Sequence, residues 1–332
     1  MNVLIVRLGA LGDVVHAIPA AAALRKAFPE GHLHWLVDRK HRELVDLVTV
    51  VDRVIAIDGA SAGGWIAGAR ALRQTQYAAA IDFQGLFKSA IFARASGAEH
   101  VVGFSIWHLR EKTARPFYST TGDVGQDHII RRNLELLRAI DVNATEIEFP
   151  LAVPASTALD RLREQLPPNR PFALVNPAAA WPNKRWPPER LAAVASFLAE
   201  ECGMTPVVLW GPGEDALAGS IAGLSGGAAI PAPPTTVTDL VAITRAAALI
   251  VSGDTGPLHI ATAVGTRAVA IFGPTDPARN GPWSTEDVTV SRYDSCHCHY
   301  DRRCHHSSWC LADIAVAEVC AGIKRRLRLT AA

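Results

Sequence analysis

Short apolar runs rich in Val, Ile and Leu alternate along the chain with longer stretches of helical period. In the first half, runs at 3–7, 33–37, 53–57, 78–82 and 100–103 predict strands. Between them, 14–28, 65–74 and 86–95 space their apolar residues as helices do. A Pro- and Ala-rich stretch at 153–171, with one short helical segment, interrupts the pattern. It then restarts, with strands predicted at 172–176, 206–210, 248–252 and 268–272 and helices at 187–202, 215–223, 237–246, 257–264 and 312–327. Such alternation implies a mostly parallel sheet covered on both faces, and the restart implies two of them. The predicted class is α/β, with two doubly wound, Rossmann-like domains at 1–155 and 156–332. Ligands of such sheets bind beyond the carboxyl ends of the strands, so the loops that follow strands are where chemistry belongs. Dehydrogenases, binding proteins and epimerases share this layout, and only the motifs separate them.

Composition narrows the partners. The 332 residues exceed what one core usually organises, and 49% hydrophobic with 20% charged residues excludes a disordered chain. A formal net charge of +1 supplies no global field for nucleic acid, so no nucleic-acid partner is expected. An acidic ligand has to be held by a local cluster. No apolar run reaches the roughly 18 residues of a spanning helix; the stretch at 14–24 is broken by His16 and Pro19. The chain opens on a strand-like run without a leader pattern. The expectation is a cytoplasmic protein that touches a membrane only peripherally.

Six segments carry candidate chemistry. In Arg7-Leu8-Gly9-Ala10-Leu11-Gly12-Asp13 a strand ends, two glycines permit close approach of a ligand, and a helix begins. Asp13 is there either as a helix cap or as a functional carboxylate, and the G-x-G-x-x-G dinucleotide spacing is absent. In Asp82-Phe83-Gln84-Gly85-Leu86-Phe87-Lys88-Ser89, Gln84 and Lys88 can hold acceptor or phosphate oxygens, or can belong to a plain turn with a solvated Lys. Between Asn176 and Pro187, Lys184 and Arg185 lie among prolines and two tryptophans, and Lys184 suits a diphosphate as a compact point charge. Glu214, after Trp210-Gly211-Pro212-Gly213, is a ribose acceptor or a first-turn acid.

The strongest is Ser252-Gly253-Asp254-Thr255-Gly256-Pro257-Leu258-His259. Its glycines expose backbone N–H groups, Pro257 fits the first helical position, and a helix N-terminus is an anion site. Gly273-Pro274-Thr275-Asp276-Pro277 is expected to wall the same pocket, and a capped helix after a turn is the plain alternative. Cys296-x-Cys298-x5-Cys304-x5-Cys310, interleaved with four histidines, is tighter than the usual paired zinc spacing. It reads as a disulfide-capable or variable loop, with zinc as the alternative, and no metal ligand is assigned.

Together these ordered motifs resemble glycosyltransferase family nine, the ADP-heptose:lipopolysaccharide heptosyltransferases. The resemblance rests on Leu11-Gly12-Asp13-Val14 with Pro19, Asp82-x-Gln84-Gly85-Leu86-x-Lys88-Ser89, Lys184-x-Trp186-Pro187, and Ser252-x-Asp254-Thr255-Gly256-x-x-His259 followed by Gly273-Pro274-Thr275-Asp276-Pro277. It implies a GT-B fold, with an acceptor-binding N-terminal domain and a nucleotide-sugar-binding C-terminal one. It implies inverting transfer of heptose from ADP-heptose to a Kdo–lipid A type acceptor of the lipopolysaccharide inner core, at the cytoplasmic face of the inner membrane, with no cofactor and no obligatory metal. By position, Asp13 matches the catalytic base. Lys184, Glu214, Asp254, Thr255, Gly256 and His259 match donor positions, and Gln84, Lys88, Arg110, His128 and Arg132 match acceptor positions. Ala180 departs from the threonine some members carry. Another GT-B nucleotide-sugar enzyme, an epimerase, or a non-catalytic sugar-nucleotide binder are the alternative readings.

Overall fold

The structure, a computed structural model, describes residues 1–125 and 128–328. The chain divides into two compact units, Met1–Ala152 and Val153–Ala332, three residues ahead of the expected boundary at 155.

The first unit runs β1 (Asn2–Val6), α1 (Leu11–Ala27), β2 (His32–Asp38), α2 (Arg42–Val45), β3 (Arg53–Ile57), α3 (Ala62–Leu72), β4 (Ala79–Asp82), α4 (Phe87–Ala95), β5 (His100–Phe104), β6 (Thr120–Gly122) and α5 (Ile129–Leu136). Its six strands are all parallel in the order β3-β2-β1-β4-β5-β6, with Val3 level with Leu33 on one side and Ala79 on the other. Four of the five β1 residues are buried, as expected of a strand covered on both faces.

The second unit runs α6 (Thr157–Gln165), β7 (Phe172–Asn176), α7 (Pro188–Glu200), β8 (Thr205–Val208), α8 (Asp215–Leu224), β9 (Ile230–Pro231), α9 (Val237–Ala246), β10 (Leu249–Gly253), α10 (Gly256–Ala263), β11 (Ala268–Phe272), α11 (Pro277–Asn280), β12 (Val288–Ser291) and α12 (Val316–Leu327). Its sheet order, β12-β11-β10-β7-β8-β9, is again all parallel and repeats the first unit's winding. One face is packed by Val194, Leu198, Ile221, Val319 and Ile323, the other by Leu159, Leu162, Ile243 and Leu258.

In each sheet the strand order reverses at one place, between β1 and β4 and between β7 and β10. A crevice opens there at the carboxyl ends, because the crossovers leave in opposite directions. The Arg7–Asp13 and Asp82–Ser89 motifs leave the first switch point, and the Asn176–Pro187 and Ser252–His259 motifs leave the second.

Three departures from the expected elements have local causes. Helix α1 begins at Leu11 rather than 14, because Ala10 is its extended N-cap and the Asp13 carboxylate accepts the Ala10 N–H. The segment expected as one helix at 312–327 is a short turn at Cys310–Asp313, then α12, which starts where Glu318 accepts the Ala315 N–H. The edge strands β6, β9 and β12 span 3, 2 and 4 residues, too few to leave a periodic signal.

Candidate functional site

At the first switch point Arg7 immediately follows β1 and is buried. Its Nη2 lies 2.6 Å from Asp13 Oδ1, while its Nη1 donates to the Phe83 carbonyl in the β4–α4 loop. Asp13 Oδ2 accepts the Ala10 N–H at 3.0 Å. Asp13 is therefore not the helix cap that the sequence left open: Ala10 occupies that position and Asp13 stands in the first turn. Gly9 allows the loop to lie against His41, since a Cβ there would come within 2.7 Å of the imidazole ring. Burial and the neighbouring Lys40 hold His41 toward its neutral form. The sequence marked Gly9 as a point of close approach, but not that its neighbour stands 32 positions on, after β2.

The second loop is locked to the first. Gln84 Oε1 accepts the Leu8 N–H at 2.8 Å. Asp82, fully buried, accepts from the Tyr118 and Ser89 hydroxyls, both at 2.7 Å, and from the Gln84 and Gly85 N–H groups. Burial pushes its carboxyl up against the pull of these donors. Lys88 donates to the Gly59 carbonyl and lies 5.5 Å from the centre of the Trp65 ring. His128 caps α5, its Nδ1 accepting the Ile130 N–H at 3.3 Å, and stands edge-on to His16. Arg132 Nη2 is 3.2 Å from His108 Nδ1. Arg110 is exposed in the loop whose Glu111 N–H reaches the Gly85 carbonyl. Of the residues matched to an acceptor, Gln84 and Lys88 thus commit polar groups to bracing loops, whereas Arg110 stands outward.

At the second switch point the arrangement centres on Asp254. Its buried carboxylate accepts from Lys184 Nζ at 2.6 Å and from the Thr275 hydroxyl at 2.7 Å, and lies 3.0 Å from His259 Nε2. Burial opposes its ionisation, but the His259 hydrogen bond and the Lys184 charge outweigh it and hold the carboxyl far below the usual range. Lys184 Nζ also lies 4.4 Å from the centre of the Trp181 ring. Helix α10 begins at Gly256 with Thr255 as extended N-cap, so Pro257 is its second residue rather than the first, as expected. The Thr255 hydroxyl accepts from Asn176 Nδ2 at 2.9 Å and lies 3.0 Å from Ser252 Oγ. Asp254 and His259 therefore anchor the loop and its cation. What the crevice offers a ligand is Lys184, already fixed, beside the first-turn N–H groups of α10. Glu214 Oε2 accepts the Gly211 N–H at 2.9 Å and closes the glycine turn, and Asp215 opens α8.

The cysteine segment is not a loose loop. Asn183 donates to the Asp301 carbonyl, Trp309 to the Arg185 carbonyl, and the Tyr300 N–H to the Pro274 carbonyl. A Cβ on Gly273 would come within 2.8 Å of Cys310 Sγ. The segment buttresses both loops around Lys184. All six cysteines are free thiols, Cys298 and Cys304 have their sulfurs 3.5 Å apart, and burial with the Cys296 contact pushes the Cys310 thiol up to about 12. Among the described residues no group of three or more His, Cys, Asp or Glu is arranged to hold a metal ion, and no helix is long and apolar enough to cross a membrane.

The chain is similar to known proteins over nearly its whole length. It is 30% identical over 316 residues to lipopolysaccharide heptosyltransferase 1 of Pseudomonas aeruginosa, covering 89% of this chain and 85% of that one. The fold matches the crystal structure of a family 9 glycosyl transferase from Veillonella parvula with a TM-score of 0.83 at 21% identity, over 99% of this chain and 97% of the other. It matches the E. coli heptosyltransferase WaaC with ADP with a TM-score of 0.78 at 24% identity, over 98% and 100%. These relatives share the two doubly wound sheets of the GT-B type. Residues 65–310 match the model of glycosyltransferase family 9 (heptosyltransferase), and the chain belongs to that family.

Proposed function

We propose that this glycosyltransferase transfers heptose from ADP-heptose to a Kdo–lipid A type acceptor of the lipopolysaccharide inner core, with inversion and without an obligatory metal. The observation that carries the reading is the pair of switch-point loops, one presenting a held carboxylate and the other a held cation beside a helix N-terminus. The relatives named for heptosyl transfer, one of them solved with ADP, supply the donor class.

In this reading the acceptor hydroxyl oxygen attacks the anomeric carbon as the bond from that carbon to the diphosphate oxygen breaks. Asp13 takes the hydroxyl proton as general base. The sugar passes through an oxocarbenium-like state, and the electron pair of the broken bond leaves with ADP. Lys184 and the first-turn N–H groups of α10 stabilise the charge that grows on the departing diphosphate. Arg110 contributes to holding the anionic acceptor, and Glu214 stands near the ribose. The enzyme works at the cytoplasmic face of the inner membrane in peripheral contact.

The test is incubation with ADP-heptose and a heptose-free, deeply truncated lipopolysaccharide, followed by mass spectrometry, with and without EDTA. The expected product is the acceptor plus one heptose, in equal yield in both arms. No product, with ADP and ADP-heptose leaving the melting temperature unmoved, overturns the donor assignment. Loss in EDTA that magnesium restores overturns the metal-free mechanism.

A further inference from the structure

We propose that Arg7 is a positioning residue for glycosyl transfer, its guanidinium aiming the Asp13 carboxylate at the acceptor hydroxyl. This rests on the reading of Asp13 as the base.

Arg7 stands at the carboxyl end of β1, the strand bounding the first switch point, and is buried there. A buried cation is tolerated only when paired and hydrogen-bonded. Its Nη1 is spent on the Phe83 carbonyl, main chain of the neighbouring β4–α4 loop, and its Nη2 on Asp13 Oδ1 at 2.6 Å. The guanidinium is a rigid planar fork. With one tine fixed to main chain, the other cannot swing, and the Asp13 carboxylate takes its direction from it. The second carboxylate oxygen is fixed by the Ala10 N–H, and the Arg7 carbonyl is itself held by the Trp35 indole N–H at 3.2 Å. Every support of the carboxylate thus comes from the protein side, while the carboxylate keeps an exposed face. Such preorganisation matters because a reacting pair misplaced by about 1 Å loses of order 10²-fold in rate. A buried ion pair that merely stabilises the fold has the same contacts, and a double-mutant cycle separates the two roles.

The experiment measures kcat at saturating donor and acceptor, and the donor KM, for wild type, Arg7→Gln, Arg7→Lys, Asp13→Asn and the double variant Arg7→Gln/Asp13→Asn. Arg7→Gln is expected to lower kcat about tenfold or more with the donor KM nearly unchanged. Arg7→Lys is expected to recover only a small part of it, since it retains the charge but not the fork that directs the carboxylate. In the Asp13→Asn background, removing Arg7 is expected to change kcat less than about twofold, because the group it aims is already gone. Equal fold-losses in both backgrounds, or wild-type kcat in Arg7→Gln, overturn the proposal. If Arg7→Gln does not fold, the same cycle is run with Arg7→Lys, and equal losses again overturn it. Wild-type turnover of Asp13→Asn alone overturns the base reading instead.

Discussion

The two units wind their sheets in the same order and place an ion pair at the same topological point, yet with opposite polarity. In the first, the cation is the buried partner, the Arg7 side chain being 7% exposed and that of Asp13 38%. In the second, the carboxylate is more deeply buried, Asp254 at 7% and Lys184 at 14%. One crevice presents an anion backed by a cation, and the other a cation backed by an anion. A doubly wound sheet fixes where a ligand-facing group stands but not its sign. The sign comes from the residues that follow the strands: in the first unit both partners belong to the β1–α1 segment, whereas in the second Lys184 follows β7 and Asp254 follows β10. In the proposed reading, the first crevice supplies the base for the acceptor and the second the counter-charge for the donor diphosphate.

The comparison can be broken at either pair. The largest effect is expected from Asp13→Asn. The amide can still accept the Ala10 N–H but takes no proton, and turnover should fall about 10²–10⁴-fold. Some stability is also expected to be lost, because the buried Arg7 guanidinium loses its anionic partner and keeps the Phe83 carbonyl and the amide oxygen. Turnover and melting temperature measured on one preparation decide it, and near-normal turnover at normal stability removes Asp13 from the chemistry. Asp254→Asn is expected to do the reverse. It strands Lys184 and His259 beside a neutral group, and breaking a buried pair costs about 3 kcal/mol or more, read as a lower midpoint in denaturant. An unchanged midpoint would remove the anchoring role.

The smallest of the three is Lys184→Ala, expected to lower turnover about 10²-fold through lost stabilisation of the leaving diphosphate. Arg185→Ala is expected to cost less, since Arg185 Nε is spent on the Ala179 carbonyl. Equal kinetic effects of the two would contradict the distinction between a presented cation and a structural one.

Several features were legible in the sequence because their causes are local. The alternation of strand and helix, the restart after residue 171, and the glycines around 9–12 and 253–256 all express backbone and periodicity rules acting over a few residues. Ordered motifs then sufficed to suggest the family, since five loops after strands are hard to match together by chance. What the polar residues inside those loops do was not legible. Gln84, Lys88 and His259 were matched to ligands, and the contacts they make within the protein, Gln84 with Leu8, Lys88 with Gly59 and His259 with Asp254, could not be read from their spacing. The cysteine segment reads as a loop in one dimension and is a buttress in three. Arg7, Asp13 and Phe83 share one ion-pair and hydrogen-bond cluster although Phe83 is 76 positions from Arg7. Local sequence determined that a strand near 3–7 gives way to a helix with a carboxylate close to its start, although not that the helix begins as early as Leu11. Only the sheet, by setting β4 beside β1, decided which main-chain oxygen holds the arginine that holds that carboxylate, because a hydrogen-bond partner is chosen by distance in space.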